Sequence, residues 1–171
     1  MSMDYLQDRI RKLKSPLIVD LSVLPEHIPG FVKEGRDEKE AYAEFCRSLL
    51  EGLHQCCAGV RFSFDRFALM GALEQLSDLM MKATELGYYV LLEGPAVMTP
   101  WGAEMTADAV FGAESKYPCQ GIILSPWAGS DVFKPFLPYV HGVKTCGVHF
   151  AMEQFFCVIV IGHQDKIQPF D

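Results

Sequence analysis

The sequence predicts an α/β domain organised around a mainly parallel sheet. Short apolar runs rich in Val, Ile and Leu recur along the chain: PLIVDLSVL, AGVRFSF, YYVLLEG and GIILSP. All four are strand-like, and the first, PLIVDLSVL, suits a strand buried on both faces. Between them lie segments whose apolar residues repeat at helical spacing, so strand and helix alternate as right-handed βαβ units require. Nothing in residues 1–171 reads as a repeat, a linker or a low-complexity tract, and the chain is read as one domain.

The elements follow in order. Residues 4–13 place Tyr5, Leu6, Ile10 and Leu13 on one helical stripe, and Ser15-Pro16 ends it. The first apolar run follows, then a loop marked by Pro25, Pro29 and Gly30. Asp37 with Glu40 three residues later predicts a capping box, behind which Tyr42, Phe45, Leu49 and Leu53 form a helical stripe. After AGVRFSF, a single stripe runs through Phe67, Met70, Leu73, Leu76, Met80 and Ala83 and stops at Gly87. YYVLLEG is the third strand. A short helix is expected over 101–111, with Pro95 and Pro100 making its start irregular. GIILSP is the fourth strand, and Ser130 or Asp131 can cap a short helix ending near Tyr139, with Pro135 in its first turn or kinking it. CGVHFAM and FFCVIVIG are two further candidate strands.

Composition excludes several classes of function. The formal net charge is −7 and the sequence pI about 5.2, which disfavours nucleic acid. The basic cluster Arg9, Arg11, Lys12 and Lys14 reads as a solvated helix face. The apolar runs near 89–92, 121–124 and 155–162 are too short for a bilayer. The N-terminal MSMDYLQDRIRKLK lacks the apolar core of a signal peptide, so a cytoplasmic protein is expected. The cysteines (46, 56, 57, 119, 146 and 157) form no C-x-x-C pair, and reduced thiols packed as small hydrophobes are expected, with no metal. His149 reads as a core residue and the His163, Asp165 pair as a surface loop. Neither common glycine-rich phosphate loop is present, so no nucleotide cofactor is expected.

Several strings, in the same order, resemble a known family. They are DYLQDRI, SPLIVDLSVLPEHIP, AGVRFSFDRFALMG, AEMTADAVFG and ILSPWAGSDVFKPFLPY, in the last of which Pro126, Gly129, Asp131 and Pro135 fall in register. Over roughly residues 3–145 the chain resembles the orotidine 5'-monophosphate decarboxylases, which are β/α barrels. The resemblance implies a partial or shortened TIM-type β/α barrel, with about five or six strands rather than a full closed ring. It also implies an open sheet that needs cover, by a homodimer, by another protein chain, or by FFCVIVIG folding back.

The departures bear on function. The family's third strand carries D-x-K-x-x-D, whose lysine stabilises and then protonates the carbanion left by the departing carboxylate. In that register the first aspartate falls on Glu93, the lysine on Pro95 and the second aspartate on Met98. Between Lys82 and Lys116 there is no lysine or arginine at all, whatever the register. The strand-one aspartate falls on Ser22, with Asp20 two residues earlier, and the strand-two lysine falls on Arg61, which cannot give up a proton at neutral pH. The base-recognition element falls on Met152, Glu153 and Gln154, and nothing resembles the family's phosphate-gripping turn and arginine. The expectation is a decarboxylase-like protein that does not decarboxylate, with an interaction or regulatory role and a residual small anionic ligand. Arg61 and Glu93 are its vestigial catalytic candidates, and Asp20, Ser22, Ser63 and Ser125 its ligand-binding candidates. Two alternatives stand beside it. One is an active orotidine 5'-phosphate decarboxylase of UMP biosynthesis. The other is a lyase or isomerase on a small anion, with Arg61 holding the anion and Glu93 as base.

Overall fold

The computed structural model describes residues 2–94, 99–124, 129–139 and 157–159. Helix α1 spans Ser2–Leu13 and strand β1 Ile18–Asp20. After a 3-10 turn at Pro25–His27 come α2 (Gly30–Lys33) and α3 (Glu38–Leu53). Strand β2 (Gly59–Ser63) leads into α4 (Phe64–Leu69), α5 (Leu73–Glu85) and β3 (Tyr89–Glu93). Helix α6 (Pro100–Phe111), β4 (Gly121–Leu124), 3-10 segments at Ser130–Val132 and Lys134–Tyr139, and β5 (Cys157–Ile159) complete it.

The sheet runs β1-β2-β3-β4-β5, its first four strands parallel and β5 antiparallel to β4. Strands that follow chain order, with their helices on one side, make a singly wound sheet of barrel type. The period of two sorts the side chains. Val60, Phe62, Val90, Leu92, Ile122 and Leu124 join the buried residues of the helices in one core. The opposite, inner face carries Tyr89, Leu91 and Ile123, which form a second buried cluster with Leu6 of α1 packed against it. The β5 pairing (Ile122 with Ile159, Leu124 with Cys157) takes the β4 edge, where a continuing barrel would set a parallel strand. Residues 157–159, within FFCVIVIG, therefore pair back onto β4, while the rest of that run and CGVHFAM lie outside the described residues.

Local chemistry explains the elements. The capping box of α3 forms as expected: Glu40 donates its N–H to Asp37 Oδ1 at 2.8 Å, and Glu40 Oε2 accepts from the Asp37 N–H at 3.4 Å. Burial on α3 centres on Tyr42, Cys46 and Leu50, with Phe45, Leu49 and Leu53 on its shoulder. The expected single stripe from Phe67 to Ala83 is two helices. Gly71 adopts a φ of +65°, open to glycine at little cost, and the chain turns there before α5 starts. Helix α6 begins one residue earlier than expected, because proline suits a first helical position and Thr99 Oγ1 accepts from the Gly102 N–H at 3.1 Å. The expected helix after Ser130 is a pair of 3-10 segments, with Pro138 inside the second.

Two further expectations are corrected. Strand β1 is not buried on both faces: Leu17 is 59% and Ile18 41% exposed, since β1 is the edge of the sheet. Arg9 leaves the solvated basic face. It is half-buried, donating from Nε to the Ala58 carbonyl (3.0 Å) and from Nη2 to those of His54 (2.9 Å) and Cys57 (3.4 Å), with its guanidinium over the Tyr88 ring. Together with Tyr5 Oη, which donates to the Gly87 carbonyl, it seats α1 across the N-terminal ends of β2 and β3. Among the described residues no helix is long and apolar enough to cross a membrane.

Candidate functional site

The site lies at the other end, where the parallel strands finish. In parallel β/α folds that end collects functional side chains, because the strand-to-helix loops open there. Asp20 ends β1, Ser63 ends β2 and Glu93 ends β3, with Arg61 one pleat before Ser63. The register sets Asp20 beside Arg61 and Ser63 beside Glu93, so all four belong to the inner face. Arg61 Nη2 donates to Glu93 Oε2 at 3.0 Å and lies 3.2 Å from Asp20 Oδ2. One guanidinium thus ties three adjacent strands together.

The carboxylates are held from both sides. Asp20 Oδ1 accepts from the Ser22 N–H at 2.9 Å, a local turn that fixes the carboxylate while Oδ2 faces Arg61. The chain then passes inward: the Leu21 N–H donates to the Arg61 carbonyl, and the Leu21 carbonyl accepts from the buried Tyr42 hydroxyl at 2.6 Å. The Ser22 hydroxyl is buried and has no hydrogen-bond partner among the described residues. Under the charged row, Leu91 stands beside Arg61 and Ile123 beside Glu93, forming an apolar floor.

Exposure decides what this cluster can do. The side chains of Arg61 and Glu93 are 23% and 25% exposed and that of Asp20 is 49% exposed, so the row opens to solvent at its upper edge. Two carboxylates against one guanidinium leave the row with one net negative charge. An incoming anion reaches Arg61 only in competition with groups already seated on it. The sequence places Asp20 and Glu93 near strand ends with Arg61 grouped beside them, and the structure brings these three into direct contact. What sequence reasoning missed is the turn joining Ser22 to Asp20; a short polar pair two residues apart after a strand is its signal. Ser125, Pro95, Met98 and residues 152–154 lie outside the described residues. A separate cleft of about 370 Å³, lined by residues including Ile28, Lys33, Arg36 and Asp37, borders the start of α3 and shares none of the triad's residues. No group of three or more His, Cys, Asp or Glu that could hold a metal occurs among the described residues.

No protein-family model and no curated protein matches the sequence. Solved structures do match. A protein of Toxoplasma gondii described as an orotidine-monophosphate decarboxylase superposes with a TM-score of 0.64 at 20% identity, over 80% of this chain and 44% of its own. The UMP synthase of Leishmania donovani gives 0.62 at 26% identity, over 80% of this chain and 27% of its own. A Streptomyces avermitilis protein described as an orotidine 5'-phosphate decarboxylase gives 0.61 at 18% identity, over 77% and 46%. The chain spans less than half the length of each of these structures.

Proposed function

We propose that this chain, whose fold is that of the orotidine-monophosphate decarboxylases, is a relative that no longer decarboxylates and works through contacts with another molecule. The observation that carries the reading is the cation content of the strand mouth. Loss of carbon dioxide from a pyrimidine ring leaves a carbanion, which needs a positive group beside it and a proton to quench it. The only cation in the described triad is Arg61, an arginine that keeps its proton. It is already shared between Asp20 and Glu93 at 3.2 and 3.0 Å. From residue 83 to residue 115 the sequence supplies no other lysine or arginine.

The test is loss of the orotate chromophore when orotidine monophosphate is incubated with the protein. The expected result is no turnover above the rate without protein. Turnover that disappears in Glu93→Ala or Arg61→Ala would overturn the reading. One observation favours a second reading: Arg61 and Glu93 share one face and both keep about a quarter of their side-chain surface exposed. A lyase or isomerase acting on a small anion could use them as anion holder and base. Binding of uridine monophosphate that weakens in Arg61→Met supports that reading, and absence of binding removes it. A contact role is supported by the exposed Leu17 and Ile18 at the β1 edge, where a second copy or another chain can pair. Light scattering on a concentration series tests for the second copy.

A further inference from the structure

From the surface of α6 we infer a docking site for a basic amphipathic segment of a partner protein. The inference rests on the interaction role proposed above and names the kind of partner. Helix α6 buries Ala103, Ala107, Val110 and Phe111 against the core. On its other side Trp101 is 69% and Met105 55% exposed. These two are four residues apart, so they stack on one face one turn from each other. Glu104 and Asp108 fall on the same face, three and seven residues after Trp101, and both are exposed. An apolar pair flanked by carboxylates therefore runs along the first two turns.

The charge along the segment that carries that pair is of one sign, and the nearest cation on the 3-10 segment packed against α6, Lys134, is paired with Asp131 at 2.6 Å. From residue 83 to residue 115 there is no lysine or arginine, against Glu85, Glu93, Glu104, Asp108 and Glu114. A tryptophan in such a setting offers a large apolar anchor, and the carboxylates select what surrounds the anchor's counterpart. The matching partner presents an apolar stripe edged by Lys or Arg, laid along α6 as a helix. A second copy of this chain is disfavoured as occupant, because its α6 would bring the same carboxylates against these ones.

The test uses a short amphipathic peptide of Leu and Lys at helical spacing, and the same peptide with Glu for every Lys. The chain has two tryptophans, Trp101 and Trp127, so Trp127→Phe leaves Trp101 as the single reporter. Expected results are a saturable blue shift of Trp101 emission with the Lys peptide, none with the Glu peptide, and weakening as salt is raised. With labelled peptide and anisotropy as the readout, Trp101→Ala and the double variant Glu104→Lys, Asp108→Lys each weaken binding by about ten-fold or more. Circular dichroism checks that these surface variants keep the wild-type melting curve. Equal binding of both peptides, or no binding of either, overturns the inference. So does a blue shift that grows with protein concentration in the absence of peptide, which assigns the face to a second copy. Turnover in the orotate assay would remove the interaction reading without touching the peptide result. Failure of peptide binding without turnover removes only this surface.

Discussion

Replacing Arg61 by methionine removes the one cation of the triad while keeping most of the unbranched stem that lies beside Leu91. Asp20 and Glu93 are then left as neighbouring carboxylates with no positive partner in the triad. The size of the effect can be bracketed. Fully exposed ion pairs contribute about 0.2–1 kcal/mol, whereas breaking a buried pair costs about 3–5 kcal/mol. Side-chain exposures of 23%, 25% and 49% put this triad between those limits. Two contacts to one nitrogen, with the Asp20 arm discounted for its exposure, give about 2 kcal/mol lost in Arg61→Met. For a chain of this size that lowers the melting temperature by roughly 4–8 °C. Glu93→Gln alone leaves the Asp20 contact and costs about 1 kcal/mol. The double variant recovers part of the loss, since it removes one of the two stranded carboxylates, and the cycle shows a coupling of about 1–2 kcal/mol. Urea unfolding of the four proteins measures all of this. Arg61→Met within about 0.5 kcal/mol of the wild type, or strictly additive single changes, refutes the triad.

The remaining predictions concern the scaffold and its thiols. A Cβ on Gly59 would stand 2.6 Å from the Tyr89 carbonyl oxygen, so Gly59→Ala forces β2 from β3 and costs about 1–3 kcal/mol in urea unfolding. The buried Gln120 accepts from the Val90 N–H through Oε1 at 2.6 Å, and Gln120→Leu strands that donor at about 1–3 kcal/mol. Burial pushes the Cys46 and Cys119 thiols up to about 12 and raises the Tyr42 and Tyr88 phenols as well. These groups hold their protons more tightly folded than unfolded. Their contribution is therefore complete below the unfolded thiol value near pH 9 and is lost as pH rises toward 12, so the urea midpoint falls over that window. In the native protein a maleimide reaches the exposed Cys56 before the buried Cys46, Cys57 and Cys119, as mass spectrometry of a time course reads out.

Much of the frame is legible in the residues because each strand is built on a short apolar run, and from β2 to β4 those apolar residues are indeed buried. Asp37 with Glu40, and Gly87 after α5, are chemical punctuation that acts locally, so they read correctly without tertiary knowledge. The break at Gly71 does not read, because apolar spacing continues through it from Phe67 to Leu76 and only the backbone angle records the turn. The exposure of β1 was hidden for another reason: a strand's neighbours decide its burial, and LIVDL carries no mark of standing at an edge. Arg9 follows the same rule. Its sequence context is a charged helix, while its partners are carbonyls at 54, 57 and 58. At the site, residue types gave Arg61, Glu93 and Asp20 as candidates, but the single nitrogen of Arg61 that joins both carboxylates depends on strand register.

The seat of α1 has a consequence for how the chain is made. Its anchoring contacts span 45 to 82 residues of sequence, from Arg9 to His54 and from Tyr5 to Gly87. At roughly 5–20 residues per second, the segment 2–13 leaves the ribosome several seconds before its receptor is complete. During that interval its apolar stripe has nowhere to go. A nascent chain halted just before Tyr88 should hold this segment unprotected, and one extended past β3 should not; helix α1 is synthesised well before the seat on which it docks.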